Sequence, residues 1–346
     1  LYSNTSGSNN TAIGREALQA NTTASNNTAV GYQAAYSNTT GSVTAFGQKA
    51  LFNNTTGADS VAVGIQALVS NSTGNYNTAI GHTALTSNTT AAANTAVGYQ
   101  ALTTNTTGGD NAAFGYQAAQ SNTTGDYLTA IGRQALYNNT TASNNTAVGY
   151  QAGYSGTTSA GNTLIGKQAG YALTTANGNT FIGSDSGELL TTGQNNTILG
   201  RYSGNQDGLD IRTASNRIVL SDGDGNIGLY IDNSQNAHFD GNVIAYSTTI
   251  SDERLKTDIV KIDSALDKID QINGYTFTYT ADGKKSAGVI AQEVEKVLPS
   301  AVNESAMPLK TGNDDLYKSV QYDQIIGLLV EAVKELKAEV AELKGK

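Results

Sequence analysis

A tripeptide of the form Ala-(Ile/Val/Phe)-Gly returns along the first two hundred residues at a spacing that scarcely varies. Its glycines are Gly14, Gly31, Gly47, Gly64, Gly81, Gly98, Gly115, Gly132, Gly149, Gly166, Gly183 and Gly200. Ten of the eleven intervals are 17 residues and one is 16. A fixed period in this range marks stacked units, each of which buries its apolar side only against its neighbours. The apolar segments are short and are bounded by Asn-Thr-Thr-Gly turns, which suits strands and not helices. The spacing therefore predicts a parallel β-solenoid with two short strands per turn. Coils about 4.8 Å apart would make a shaft roughly 50 Å long over eleven steps.

Within a repeat, the large residue before glycine (Ile13, Val30, Phe46, Val63, Ile80) is expected to point inward. The alanine before it (Ala12, Ala29, Ala45, Ala62, Ala79) is then on the opposite face of the strand. Such a row of small residues would let other chains approach, so several chains, most simply three around an axis, are expected to share the core. A single-chain solenoid is the alternative. Late in the array the alanine becomes Leu164, Phe181 and Ile198, and the leucine four residues after glycine becomes Gly153, Gly170, Gly187 and Gly204. The cross-section is expected to change there.

Charge divides the chain. Residues 251–346 hold 30 of its 49 Asp, Glu, Lys and Arg residues. The expected domains are a repeat shaft over 1–204, a β connector over 205–250 and a charged C-terminal domain over 251–346. The net charge of −9 argues against nucleic acid as a partner. No run of about 18 apolar residues is present, so membrane insertion is not expected. With no Cys and two isolated histidines, His82 and His238, neither a cofactor nor a metal site is read. Asp222, Asp224 and Asn226 imitate the start of a calcium loop, but Ile227 and Asn233 stand where that loop needs Gly and Glu, so a hairpin turn is expected. The chain starts at Leu1 and not Met, and an attachment or targeting segment is expected upstream. The Asn-x-Thr triplets match glycosylation acceptors, but their repeat phase makes them turn residues first.

In the C-terminal domain, Leu255, Ile259, Ile262, Leu266 and Ile269 step by four and three, predicting an amphipathic helix. Ser251 could cap it. It could instead act as a nucleophile if Lys256, deprotonated by burial, took its proton. On one helix the two would diverge, so Ser251 would have to sit on the incoming extended strand after Thr248-Thr249-Ile250. Farther on, Ile326, Leu329, Val333, Leu336, Val340 and Leu343 form a three-heptad coiled-coil seam. Packing on its own domain is the alternative use of that helix.

Two resemblances follow from these residues. The Asn-Thr-Ala-Val-Gly repeats are similar to the β-roll heads of trimeric autotransporter adhesins, and similar arrays occur in phage tail fibres. The order Ser251-Asp-Glu-Arg-Leu-Lys256, Gly274-Tyr-Thr-Phe277, Ala287-Gly-Val-Ile-Ala-Gln-Glu-Val294, Leu298-Pro299, Val320-Gln-Tyr322 closely resembles the intramolecular chaperone of phage endosialidases, the peptidase S74 family. The resemblance implies a domain that holds three chains together while the shaft folds, then cuts itself off at Ile250–Ser251 with Ser251 as nucleophile and Lys256 as base. It implies a virion tail fibre or spike, a homotrimer, a host receptor of glycan type, and an enzyme that acts once on its own chain. The fold class expected is mainly β, a trimeric β-solenoid with a short β connector and a C-terminal α+β chaperone domain ending in a coiled-coil helix. A bacterial trimeric adhesin using the same chaperone is the alternative. A sugar-cleaving spike is not favoured, because the six acids of residues 1–204 are scattered.

Overall fold

The computed structural model describes residues 1–239, 253–280, 283, 285–306 and 316–345. The chain divides into two compact units, residues 1–242 and 243–346.

The first unit is a β-solenoid of about 12 turns. Each turn contributes one strand: β1 (Thr11–Ile13), β2 (Thr28–Val30), β3 (Val43–Phe46) and so on to β12 (Thr197–Leu199). All twelve pair in parallel with equivalent residues opposite each other, as in Ala12↔Ala29 and Ile13↔Val30. The second strand expected per turn is replaced by turn backbone. Between strands the coil is still tied to its neighbour by amide bonds such as Leu18 N to Ala34 O (3.1 Å) and Ala35 N to Ala50 O (2.9 Å). Each repeat glycine is required. At Gly98 φ is +139°, and an added Cβ would lie 2.3 Å from the carbonyl oxygen of Gly115.

The interior differs from the sequence expectation. The alanines before the large residue, from Ala29 to Ala147, are buried in their own chain, together with Ala50, Ala67, Ala84 and their leucine neighbours Leu51, Leu68 and Leu85. The large residues before glycine face outward instead; Ile80 is 40% exposed. A 17-residue coil with one three-residue strand is narrow. One leucine and two alanines per turn fill it, and an isoleucine beside them would overpack it. The alanine row is therefore not a face open to another chain.

Asparagines complete this interior. Asn54, Asn71, Asn88, Asn105 and Asn122 are fully buried. Each side-chain amide donates to the Oδ1 of the asparagine one coil earlier, at 2.7–3.1 Å. Each also donates to a carbonyl three residues on, as Asn88 does to Ala91 O (3.0 Å). Buried amides are tolerable because every donor is used. The same burial withdraws the asparagines of these Asn-x-Thr triplets from the surface. The 16-residue interval omits one left-handed turn residue, the counterpart of Asn26 and Asp59, and leaves the strand register intact.

Toward its end the solenoid changes filling but not period. Leu164, Phe181 and Ile198 are buried where alanine stood. They occupy the space released by Gly153, Gly170 and Gly187; a Cβ on Gly187 would lie 2.5 Å from the Phe181 ring. The expected change of cross-section is thus an exchange of volume inside a constant coil. Leu173 and Leu190 replace the asparagine ladder, and Tyr202, Ile211 and Val219 close the interior.

Residues 205–239 continue the same sheet beyond a small antiparallel pair, β13 (Asn205–Gln206) with β14 (Leu209–Asp210). Strand β15 (Ile218–Ser221) pairs in parallel with β12; β16 (Ile227–Ile231) and β17 (Ala237–Phe239) then add antiparallel. The turn at Asp222 is a hairpin, as expected. Its Oδ1 accepts from the backbone amides of Asp224, Gly225 and Asn226 at 2.9–3.0 Å. Asp232 repeats the arrangement with Ser234 and Asn236, and also meets the ring of His238 at 3.1 Å. These donors hold its carboxyl well below the usual carboxylate range.

The second unit holds a short helix α1 (Ala265–Ile269), the antiparallel pair β18 (Gly274–Thr278) and β19 (Lys285–Val289), and a helix α2 (Ala291–Val297). A second antiparallel pair follows, β20 (Val302–Ala306) and β21 (Leu316–Val320), and then the 23-residue helix α3 (Tyr322–Lys344). The amphipathic helix expected from Leu255 to Ile269 is mostly absent. Glu253–Leu255 is a 3-10 turn, and only Ala265–Ile269 is α-helical. Asp258 and Ser264 take left-handed backbone, which breaks the helix, and Leu255 is 71% exposed.

Candidate cleavage and assembly site

Ile250 and Ser251, the expected scissile pair, lie outside the described residues. Lys256 is described. It follows directly on the 3-10 turn, its backbone amide donating to Glu253 O at 3.0 Å, and its side chain is exposed. The burial that the Ser–Lys chemistry asks of this lysine is not supplied by the single chain.

Beyond Lys256 the segment is fastened to α3. Ala265 is buried against Leu328 and Ala332, with Ile262, Leu266 and Ile269 packed around them. The Glu335 carboxylate reaches across and accepts from the amides of Ala265 (3.0 Å) and Leu266 (2.8 Å). These two bonds hold its carboxyl below the usual glutamate range. Glu335 thus supplies from a distant helix the cap that Ser264 does not make for α1. In the sequence Glu335 is one of several charges beside the coiled-coil seam, and nothing local marks it as a cap.

The motif residues converge on a second small core. Val294, Ala301 and Ile325 are buried together with Val289, Leu298 and Val320 against them. Glu293 accepts from the Tyr275 hydroxyl (2.8 Å) and from the Asn273 amide (2.9 Å), which joins the start of β18 to α2. Those bonds lower the Glu293 carboxyl and raise the Tyr275 phenol. Gly288 lies under the Tyr322 hydroxyl, which a Cβ there would have to displace. Gly274-Tyr-Thr-Phe277, Ala287-to-Val294 and Val320-Gln-Tyr322 are therefore parts of one scaffold.

Helix α3 has two faces. Ile325, Leu328 and Ala332 bury against its own unit. The expected seam residues Ile326, Leu329, Val333, Leu336, Val340 and Leu343 are all exposed, Val333 at 64%. The inner face packs on its own domain, as the alternative use of this helix expected, and the seam face is exposed in the single chain. Among the described residues no cluster of His, Asp and Glu could hold a metal ion, and no helix is long and apolar enough to cross a membrane.

Residues 251–303 match the model of the chaperone of endosialidase family. The chain is similar to long tail fiber protein Gp37 of Enterobacteria phage K3, 37% identical over 141 residues, covering 37% of this chain and 11% of that protein. It is similarly related to Gp37 of Enterobacteria phage T2, 36% identical over 141 residues, covering 37% of this chain and 10% of the relative. With Gp37 of Enterobacteria phage M1 the identity is 32% over 101 residues, covering 27% of this chain and 38% of the relative. The chain thus spans about a tenth of the length of the first two. No solved structure matches. A β-solenoid, tail-fibre relatives and a chaperone-of-endosialidase match agree with a phage tail fibre carrying a C-terminal chaperone.

Proposed function

We propose that the chain is part of a homotrimeric tail fibre for host attachment, whose C-terminal domain gathers three copies, directs folding of the shaft, and then cuts the Ile250–Ser251 bond. The observation that carries this is the pairing of a chaperone-of-endosialidase match over 251–303 with a 12-turn solenoid earlier in the same chain. Parallel coils join residues about one repeat apart, and a narrow interior of alanine and asparagine rewards the first coil poorly, so unaided nucleation is slow. The coils next in sequence to the chaperone are the ones filled by Leu164, Phe181, Ile198 and Tyr202. That placement favours folding that starts there and runs toward Leu1.

In the cleavage step, the Ser251 hydroxyl oxygen attacks the Ile250 carbonyl carbon while Lys256 takes the hydroxyl proton. The C–N bond breaks, the proton passes to the Ser251 nitrogen, and an ester remains between Ile250 and the serine oxygen. Water opens the ester, leaving an Ile250 carboxylate and a free Ser251 hydroxyl. Lys256 is exposed in one chain, so assembly, which can bury it, has to come before cutting. Host attachment through a surface glycan belongs to the same reading. Exposed rings such as Tyr99 and Tyr116, stacked on each other 5.3 Å apart, present their edges along the shaft.

The test is a denaturing gel of the purified product. Wild type is expected to run as residues 1–250 and a piece of about 10 kDa, in proportion to 35.8 kDa for 346 residues. Ser251→Ala and Lys256→Ala are expected to run uncut; cleavage of both variants at that bond overturns the dyad.

A further inference from the structure

The outward row before the repeat glycines has no explanation within one chain. From Ile13 to Leu220 the aligned residue is Ile, Val, Phe or Leu at every rung, with no polar or charged exception. Interior rungs such as Phe114, Ile131 and Leu199 are each about two-fifths exposed although covered by rungs above and below, so the bare side points straight out. Strand preference alone does not select this composition. Threonine, a good strand former, holds most of the other outward positions of the same strands but none on this row. Solvent exposure alone does not select it either. Directly after the glycine, Arg15, Gln48, His82, Lys167 and Ser184 alternate freely with tyrosine.

We infer that this apolar ladder is the seam along which copies of the shaft pack on one another, in parallel and in zero register, each rung facing its own counterpart around the axis. The inference rests on the multi-chain reading above and names the surface responsible. A dozen partly bare rungs amount to several hundred Å², beyond what monomers ordinarily leave uncovered and near the share of a standard interface. The occupant has to present apolar side chains at a rise of about 4.8 Å over the whole length. A second copy of this chain does so. Zero register also sets the larger Phe46 and Phe114 rungs, and the one 16-residue coil, beside their equivalents. The neighbouring outward row within the strand, Thr78 and Thr95 among its members, is uncharged, so close approach on that side brings no buried charge. Since the ladder lies wholly before Ser251, the seam persists after the chaperone leaves.

The chain has no cysteine, which permits a clean test on the full-length protein. Single variants Ile131→Cys and Thr124→Cys place a thiol on the ladder and on an exposed turn of the same coil, respectively. After air or copper–phenanthroline oxidation, Ile131→Cys is expected to give covalent shaft pairs on a denaturing gel and Thr124→Cys is not. If the native particle holds several chains but Ile131→Cys does not cross-link, or Thr124→Cys cross-links as well, the ladder is not the seam. If wild type sediments as one chain, the multi-chain reading falls and the seam with it, an outcome distinct from the first. Ile131→Asp, with the coil's circular dichroism as a folding control, is expected to convert the particle to single chains.

Discussion

The shaft and the C-terminal unit solve the problem of burial in opposite ways. The shaft has one continuous interior from Ala17 to Val219, made mostly of alanine, leucine and hydrogen-bonded asparagine, each coil using the same positions as the last. The C-terminal unit has two small clusters, around Leu328 and around Val294, joined by α3 and pinned by single contacts such as Glu335 to α1. A repetitive interior has no unique starting point and depends on a neighbour already in place. A unit with mixed elements and contacts that do not repeat specifies itself. The pairing of the two makes sense when the second unit starts the first and is then dispensable, which leaves the shaft's lifetime set by an unfolding rate.

Several outcomes sharpen or break this comparison. The largest is all-or-none: Ser251→Ala should keep the units joined, and a shaft still attached to its chaperone should refold after heating where the cut shaft does not. Circular dichroism through a heating and cooling cycle reads this out. Next, Phe181→Ala should destabilise the last coils by about 3–5 kcal/mol. Because the chain is read as folding from that end, the yield of assembled shaft should fall as well, measured by size-exclusion chromatography. If Leu68→Ala, deep in the array, lowers assembly more than Phe181→Ala, nucleation does not begin at the chaperone end.

Smaller effects follow from single polar contacts. Asn88→Ala strands the amide of Asn105 and the carbonyl of Asn71, and should cost about 1–3 kcal/mol, visible as faster amide exchange in that coil. In the C-terminal unit, the Glu335 carboxyl is lowered by the two amides it accepts from. Its contribution is therefore present above the ordinary glutamate range and lost as pH falls through the lowered value. The melting temperature of the Ser251→Ala protein's C-terminal transition should decline on acidification below about pH 4.3. Glu335→Gln should flatten that decline.

Much of the shaft was legible in its sequence. Strict spacing of the glycines dictates parallel coils in register, and the Asp222-to-Asn226 turn follows from its residues. The side of the strand that faces inward was not read correctly. Alternation separates two faces, but alanine and isoleucine are both apolar, and only the width of the coil decides between them. A signal did exist. Where Ala gives way to Leu164, Phe181 and Ile198, leucine gives way to glycine in the same coils, a compensation that places both positions in one interior. The helix from Leu255 was over-read because its spacing is helical while Asp258 and Ser264 leave helical backbone. Lys256 was expected to be buried and is not in one chain. The cap made by Glu335 links residues 70 apart and has no local signature.

The central claim is that a shaft of several chains outlives the domain that assembled it. Mass spectrometry of the purified particle, native and then denatured, addresses it most directly. The account predicts a native mass of three copies of residues 1–250, and on denaturation a single chain ending at Ile250 without residues 251–346. A native mass of one intact 35.8 kDa chain contradicts it.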